Sequence, residues 1–76
     1  MKTRIGEMAG RVWTILGEKE AVDTSKLPRM LKEKGEVVYQ ALGWLAREDK
    51  VEFHKREGRI FVSLSSEEQK IYKGPL

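Results

Sequence analysis

Three groups of side chains in this sequence have types and spacings suited to chemistry. Gln40, Gly43 and Arg47 recur at three- and four-residue intervals, the repeat of one helix face. Gln can pair bidentately with adenine, Arg with guanine or a phosphate, and a glycine between them lets a groove wall approach the backbone. The alternative for such a face is a solvated surface or a protein contact. Lys55, Arg56 and Arg59 surround Glu57-Gly58, the two-residue signal of a hairpin tip. Cations at a tip either position a duplex by its phosphates or blunt a strand edge against pairing. Lys26 and Arg29, followed by Lys32 and Lys34, make a second basic stretch. The third group is aromatic. Tyr39 and Trp44 lie at the margins of a buried stripe, and Phe61 and Tyr72 fall where a core does not require them. Trp44 either caps the core beneath the hairpin or anchors a partner. Phe61 is either covered by Ile71 and Tyr72 or forms a partner or dimer surface with Tyr72.

Catalytic and metal chemistry find little here. Cys is absent, which removes disulfides, thiol catalysis, iron–sulfur clusters and Cys-based zinc sites. The one histidine, His54, alternates with Phe53 and should face solvent. No serine has the setting of a nucleophile, and Gly6, Gly10 and Gly17 do not form a phosphate loop. The Glu residues sit at helix-pair spacing, as on solvated faces. The expectation is a protein that is not an enzyme and takes no cofactor, metal or small-molecule ligand. No apolar run is long enough to span a membrane, and the N-terminus lacks the apolar stretch of a secretory signal. The expected compartment is the cytoplasm.

The elements that must position these groups follow from periodicity. The chain has 76 residues, a net charge of +3 and 39% hydrophobic residues, enough for one small core. Ile5, Met8, Ala9, Val12, Trp13, Ile15 and Leu16 mark a first helix over about 4–17, with Thr3 as N-cap and Gly17 as a left-handed stop. Residues 21–23 read as a short apolar hinge or a strand stub, which would add a third strand to the sheet. Ser25 is the expected cap of a second helix, because it places Pro28 in the first turn, where no N–H is needed. Leu27, Met30 and Leu31 are its buried stripe and Gly35 its end. Glu36 opens a third helix over 36–48, which makes a tight helix–turn–helix corner. With Val38, Ala41, Leu42 and Leu45 inward, the outermost residues are Glu36, Gln40, Gly43 and Arg47.

Period-two alternation over 51–55 and 60–64 then gives an antiparallel hairpin within 50–64, with Val51 and Phe53 opposite Ile60, Val62 and Leu64 over the core. Val12, Leu16, Leu31, Leu42, Leu45, Phe53 and Val62 are the expected centre of that core. Ser65-x-x-Glu68 fits a capping box for a last short helix carrying Ile71 and Tyr72, with a strand over 69–72 as the alternative. A single domain over 1–73 with a frayed tail at 74–76 completes the organisation.

Charge is unevenly shared among these elements. In residues 36–49 Arg47 stands against Glu36, Glu48 and Asp49, so the third helix is acidic, which a phosphate field repels. Residues 21–35 and 50–64 are each basic. Any affinity for nucleic acid would therefore rest on the elements flanking the third helix.

Helix, short strand, helix, tight turn, helix, hairpin is the order of a winged helix: α+β, mostly α, with a three-helix helix–turn–helix core and an antiparallel β-hairpin wing. Residues 5–13, Ile-Gly-Glu-Met-Ala-Gly-Arg-Val-Trp, together with residues 39–48, Tyr-Gln-Ala-Leu-Gly-Trp-Leu-Ala-Arg-Glu, and the following Lys50-Val51-Glu52-Phe53, carry a resemblance. Over about residues 4–64 the chain resembles a family of small winged helix-turn-helix proteins of uncharacterised function in bacteria and archaea. The resemblance implies the fold and a nucleic-acid role. Two readings stay open. In one, the protein binds double-stranded DNA weakly, as a transcription regulator or part of one, with residues 36–48 toward the major groove and 50–64 on phosphates. In the other, the winged helix is a protein-interaction module, docking another protein or a second copy through Tyr39, Gly43 and Trp44 or through Phe61.

Overall fold

The structure is a computed structural model that describes residues 2–74, with side chains described from residue 4 onward. Helix α1 runs Lys2–Lys19, strand β1 Ala21–Asp23, a 3-10 turn Thr24–Lys26, helix α2 Leu27–Leu31, helix α3 Gly35–Arg47, strand β2 Val51–Arg56, strand β3 Arg59–Leu64 and helix α4 Ser66–Lys73. The sheet is antiparallel in the order β1-β3-β2. This is a winged helix. The stub at 21–23 is its third strand, pairing Val22 with Val62 and Asp23 with Phe61.

The core lies where α1 and α3 cross the inner sheet face. Met8, Ala9, Val12 and Leu16 of α1 meet Val38, Ala41, Leu42 and Leu45 of α3 above Val22, Val51, Val62 and Leu64. Every inward position expected on α3 is buried. Two expected apolar contacts of the hairpin fall outside the core: Phe53 is 48% and Ile60 49% exposed. The strand face is the expected one, but the hairpin outruns its support. Strand β1 pairs only as far as Phe61, so Ile60 lies beyond it, and Phe53 sits on the edge strand.

The helix ends differ from the expected ones for identifiable reasons. Gly17 does not stop α1, which continues to Lys19 and ends on Glu20 in the left-handed conformation, φ 70°. Gly17 is occupied differently: a Cβ there would overlap the Tyr72 ring. The helix also begins ahead of Thr3, whose side chain lies outside those described. Ser25 does not cap α2, whose N-cap position is Lys26 with no side-chain capping bond; Ser25 lies in the preceding 3-10 turn, which Asp23 caps, its carboxylate accepting the Ser25 N–H at 3.0 Å. Pro28 falls at the second position of α2. Helix α2 stops at Lys32 (φ 55°), three residues before Gly35. The Lys32 and Glu33 amides return to Arg29 and Pro28 carbonyls at 3.2 and 3.0 Å, which is how a left-handed stop satisfies the last turn. Arg11 of α1 donates to the Leu31 carbonyl at 2.6 Å and lies 3.6 Å from Glu33, which also lies 3.4 Å from Arg4. Two arginines of α1 thus hold the α2–α3 turn.

The hairpin turns on Glu57 and Gly58, both at positive φ (50° and 78°), the geometry that matches strand twist in a two-residue loop. Ser65 caps α4 by accepting the Glu68 amide. The return half of the capping box is absent, because the Glu68 carboxylate accepts Trp13 Nε1–H at 2.8 Å. Tyr72 packs on Trp13 with ring centroids 5.4 Å apart, so α4 is fastened along α1. Residues 75–76 of the expected frayed tail lie outside the described residues.

Candidate nucleic-acid interface

Helix α3 presents Glu36, Gln40, Gly43 and Arg47 to solvent, as its period requires. Nothing approaches within 4 Å of where a Gly43 Cβ would stand, so that face is open to a close neighbour. Tyr39, on one flank, donates from its hydroxyl to the Thr24 carbonyl at 3.1 Å and ties α3 to the 3-10 turn. Trp44, on the other flank, is 50% exposed. It does not cap the core, because Val38, Ala41, Leu42 and Leu45 already fill the inward stripe. Gln40 shares a shallow concavity with Arg4 and Lys34.

The cations stand on the neighbouring elements. Lys26, Arg29, Lys55, Arg56 and Arg59 are all exposed. Two of them are brought together: Lys26 from the 3-10 turn and Arg59 from the wing line one open cleft of about 460 Å³ between residues 23–26 and 58–60. Arg56 and Arg59 are directly opposite in the β2–β3 register. Like charges placed so are destabilising in a sheet, and the nearest relief is Asp23, whose Oδ2 lies 3.8 Å from Arg59 Nη1.

Asp23 is the site residue that the sequence reading passed over. Its carboxylate accepts both the Ser25 N–H at 3.0 Å and the Ser25 hydroxyl at 2.8 Å. Those two hydrogen bonds, with smaller contributions from Arg59 and Lys26, hold its ionisation below the ordinary carboxylate range against the opposing effect of burial. The Asp-x-Ser spacing was an available signal, since Asp commonly bonds the backbone two residues on.

The remaining aromatic candidates are less open. Phe61 is half-buried between Asp23 and His54 in the sheet register. Tyr72, expected beside Phe61, lies instead against Trp13 and over Gly17, and Ile71 is exposed. His54 is exposed, its Nε2 3.0 Å from the Ser63 hydroxyl. Among the described residues, no group of three or more His, Cys, Asp or Glu side chains is placed to hold a metal ion. None of the described helices is long and apolar enough to cross a membrane.

Comparison with known proteins agrees with this architecture. The chain is 36% identical over 63 residues to the uncharacterised protein MJ1608 of Methanocaldococcus jannaschii, across 80% of this chain and 90% of that protein. It is 35% identical to protein BT2368 of Bacteroides thetaiotaomicron, whose solution structure superposes with a TM-score of 0.74 over 83% of this chain and 77% of that one. The crystal structure of the transcriptional regulator HlyU from Vibrio vulnificus superposes with a TM-score of 0.76 at 22% identity, over 88% of this chain and 70% of that one; at that identity the likeness is one of fold. The model of the winged helix-turn-helix domain DUF2582 matches residues 1–64, everything from the start of α1 to the end of the wing, and the chain belongs to that family.

Proposed function

We propose that this chain is a cytoplasmic DNA-binding domain of the transcription-regulator kind and not an enzyme. It engages duplex DNA with α3 toward the major groove and its flanking elements on the phosphates. The observation that carries the reading is the division of labour around α3. The helix exposes Gln40, Gly43 and Arg47 but has no net positive charge, because it ends at Arg47, which Glu36 balances, and the acidic Glu48 and Asp49 counted with it follow its end; exposed cations flank it, two of them, Lys26 and Arg59, in one cleft. A helix without net positive charge draws little attraction of its own from a polyanion. Cations on the wing and the 3-10 turn supply the attraction, and the helix then has only to read base edges. The transcription regulator among its structural neighbours supports the same reading.

The test is a fluorescence-anisotropy titration of the chain against random duplex DNA at low and moderate salt. Binding is expected at low salt and should fall steeply as salt rises, because each phosphate contact contributes about −0.9 to the slope of log affinity against log salt. No binding at low salt would refute the reading. It would favour the second one, docking of a protein through α3, which has its own observation in the half-exposed rings of Trp44 and Tyr39 on that helix.

A further inference from the structure

Asp23 is the one buried charged side chain among the described residues, 7% exposed. A carboxylate taken out of water needs partners, and the Ser25 amide and hydroxyl supply two. Capping alone does not explain the residue, since Ser or Asn caps about as well without a buried charge. What a charge adds at this place is Arg59. Asp23 ends β1 beside Phe61 of β3, two residues from Arg59 at the hairpin turn, and its second oxygen faces the Arg59 guanidinium, while Arg56 on the opposite strand would push that guanidinium away. The cleft beneath is bounded on one side by residues 23–26 and on the other by 58–60, with Lys26 as its second cation. With two cations and one carboxylate it is left singly positive, which complements one phosphodiester.

We propose that Asp23 is a positioning residue: it holds Arg59 over this cleft and makes the cleft the seat of one backbone phosphate, gripped by the wing through Arg59 and by the helix–turn–helix through Lys26. The inference rests on the duplex-binding reading above. It fixes the angle between wing and recognition helix at a single point of the DNA backbone, which a scatter of independent surface cations would not do.

The sign of one substitution separates this from plain electrostatics. Asp23→Asn keeps an oxygen for Ser25 and removes a negative charge beside a polyanion. Charge alone then demands tighter binding. Positioning demands weaker binding, by about three- to tenfold at low salt, the range in which a single oriented hydrogen bond counts. The experiment measures duplex affinity and salt slope for the parent, Asp23→Asn, Arg59→Gln and the double variant, with thermal melts confirming that all four are folded. The expected result is that Asp23→Asn weakens binding in the parent and has no further effect once Arg59 is Gln. Tighter binding by Asp23→Asn with a steeper slope overturns the proposal and makes Asp23 a competitor for Arg59. Equal weakening with and without Arg59 also overturns it and assigns Asp23 a purely structural role. A parent that does not bind duplex at all overturns the proposal together with the reading beneath it, so the two failures are told apart by the parent alone.

Discussion

Helix α1 contains three glycines whose surroundings predict opposite responses to the same change. Gly6 and Gly10 have nothing within 4 Å of a built Cβ, whereas at Gly17 the Cβ would overlap the Tyr72 ring. In an open helix position, Gly→Ala removes backbone freedom from the unfolded chain and stabilises by about 0.5–1 kcal/mol. Gly6→Ala and Gly10→Ala should each therefore raise the melting temperature by roughly 3–6 °C for a domain of this size. Gly17→Ala makes the same gain but displaces Tyr72. The lost aromatic contact with Trp13 is worth about 0.5–1.5 kcal/mol. Re-exposing a half-buried tyrosine costs on the order of 1 kcal/mol more. The net expectation is a destabilisation of about 1 kcal/mol, seen by circular dichroism and by an altered Trp13 environment in fluorescence. In a Tyr72→Ala background the clash is gone, and Gly17→Ala should turn stabilising. A Gly17→Ala protein that melts above the parent, or a sign that does not reverse in the Tyr72→Ala background, would refute the account of how α4 is fastened to α1.

Other expectations follow from the same structure. Leu42→Ala removes a buried side chain from the centre of the α3 stripe and should cost about 2–5 kcal/mol, read as loss of most folded signal at 37 °C; a parent-like melt would mean that the inward face of α3 is misassigned. Replacing Arg56 and Arg59 together should weaken binding to all duplexes alike and lower the salt slope by about 2, one per phosphate contact. Gln40→Ala should cost about 1–3 kcal/mol on a preferred site and almost nothing on random DNA, provided that anisotropy with selected sequences first identifies such a site. For pH, the depressed ionisation of Asp23 means that its stabilising contribution is complete above the ordinary carboxylate value and is lost as pH falls through the lower, folded value. The stability difference between parent and Asp23→Asn should thus be constant above about pH 5 and shrink below about pH 4. A difference that instead vanished as pH rose from 5 to 8 would contradict that sign.

How far the sequence foretold this structure depends on whether a feature is set locally. The buried face of α3 was readable because Val38, Ala41, Leu42 and Leu45 repeat with the helix period, and that phase also placed Gln40, Gly43 and Arg47 outward. The hairpin was readable because Glu57-Gly58 separates two alternating runs. The glycines misled for a physical reason. Gly17 and Gly35 were assigned as helix stops because glycine accepts positive φ cheaply, yet the stops are Glu20 and Lys32. What spares Gly17 a side chain is Tyr72, which lies far along the chain. Phe53 misled likewise: alternation assigned its face of the sheet and could not reveal that its strand is the edge of the sheet, where that face is left half open.

The interface divides along the same line. Each exposed cation and each outward residue of α3 was visible one at a time, but the grouping of Lys26 with Arg59 exists only because β1 pairs with β3 and carries the 3-10 turn to the wing. That pairing also buries Asp23, and so a residue that looked like part of a strand stub becomes a charged group shared by wing and helix–turn–helix. The lack of net positive charge on α3 makes sense on this view. If the attraction comes from flanking elements held at one angle by Asp23 and Arg59, Glu36 at the start of α3 and Glu48 and Asp49 just past its end penalise every approach in which the helix arrives before the wing is seated. The protein would then tolerate weak overall affinity in return for a single docking orientation. The Asp23→Asn experiment tests that trade directly: a loss of binding on gaining positive charge has no explanation in net charge and a simple one in orientation.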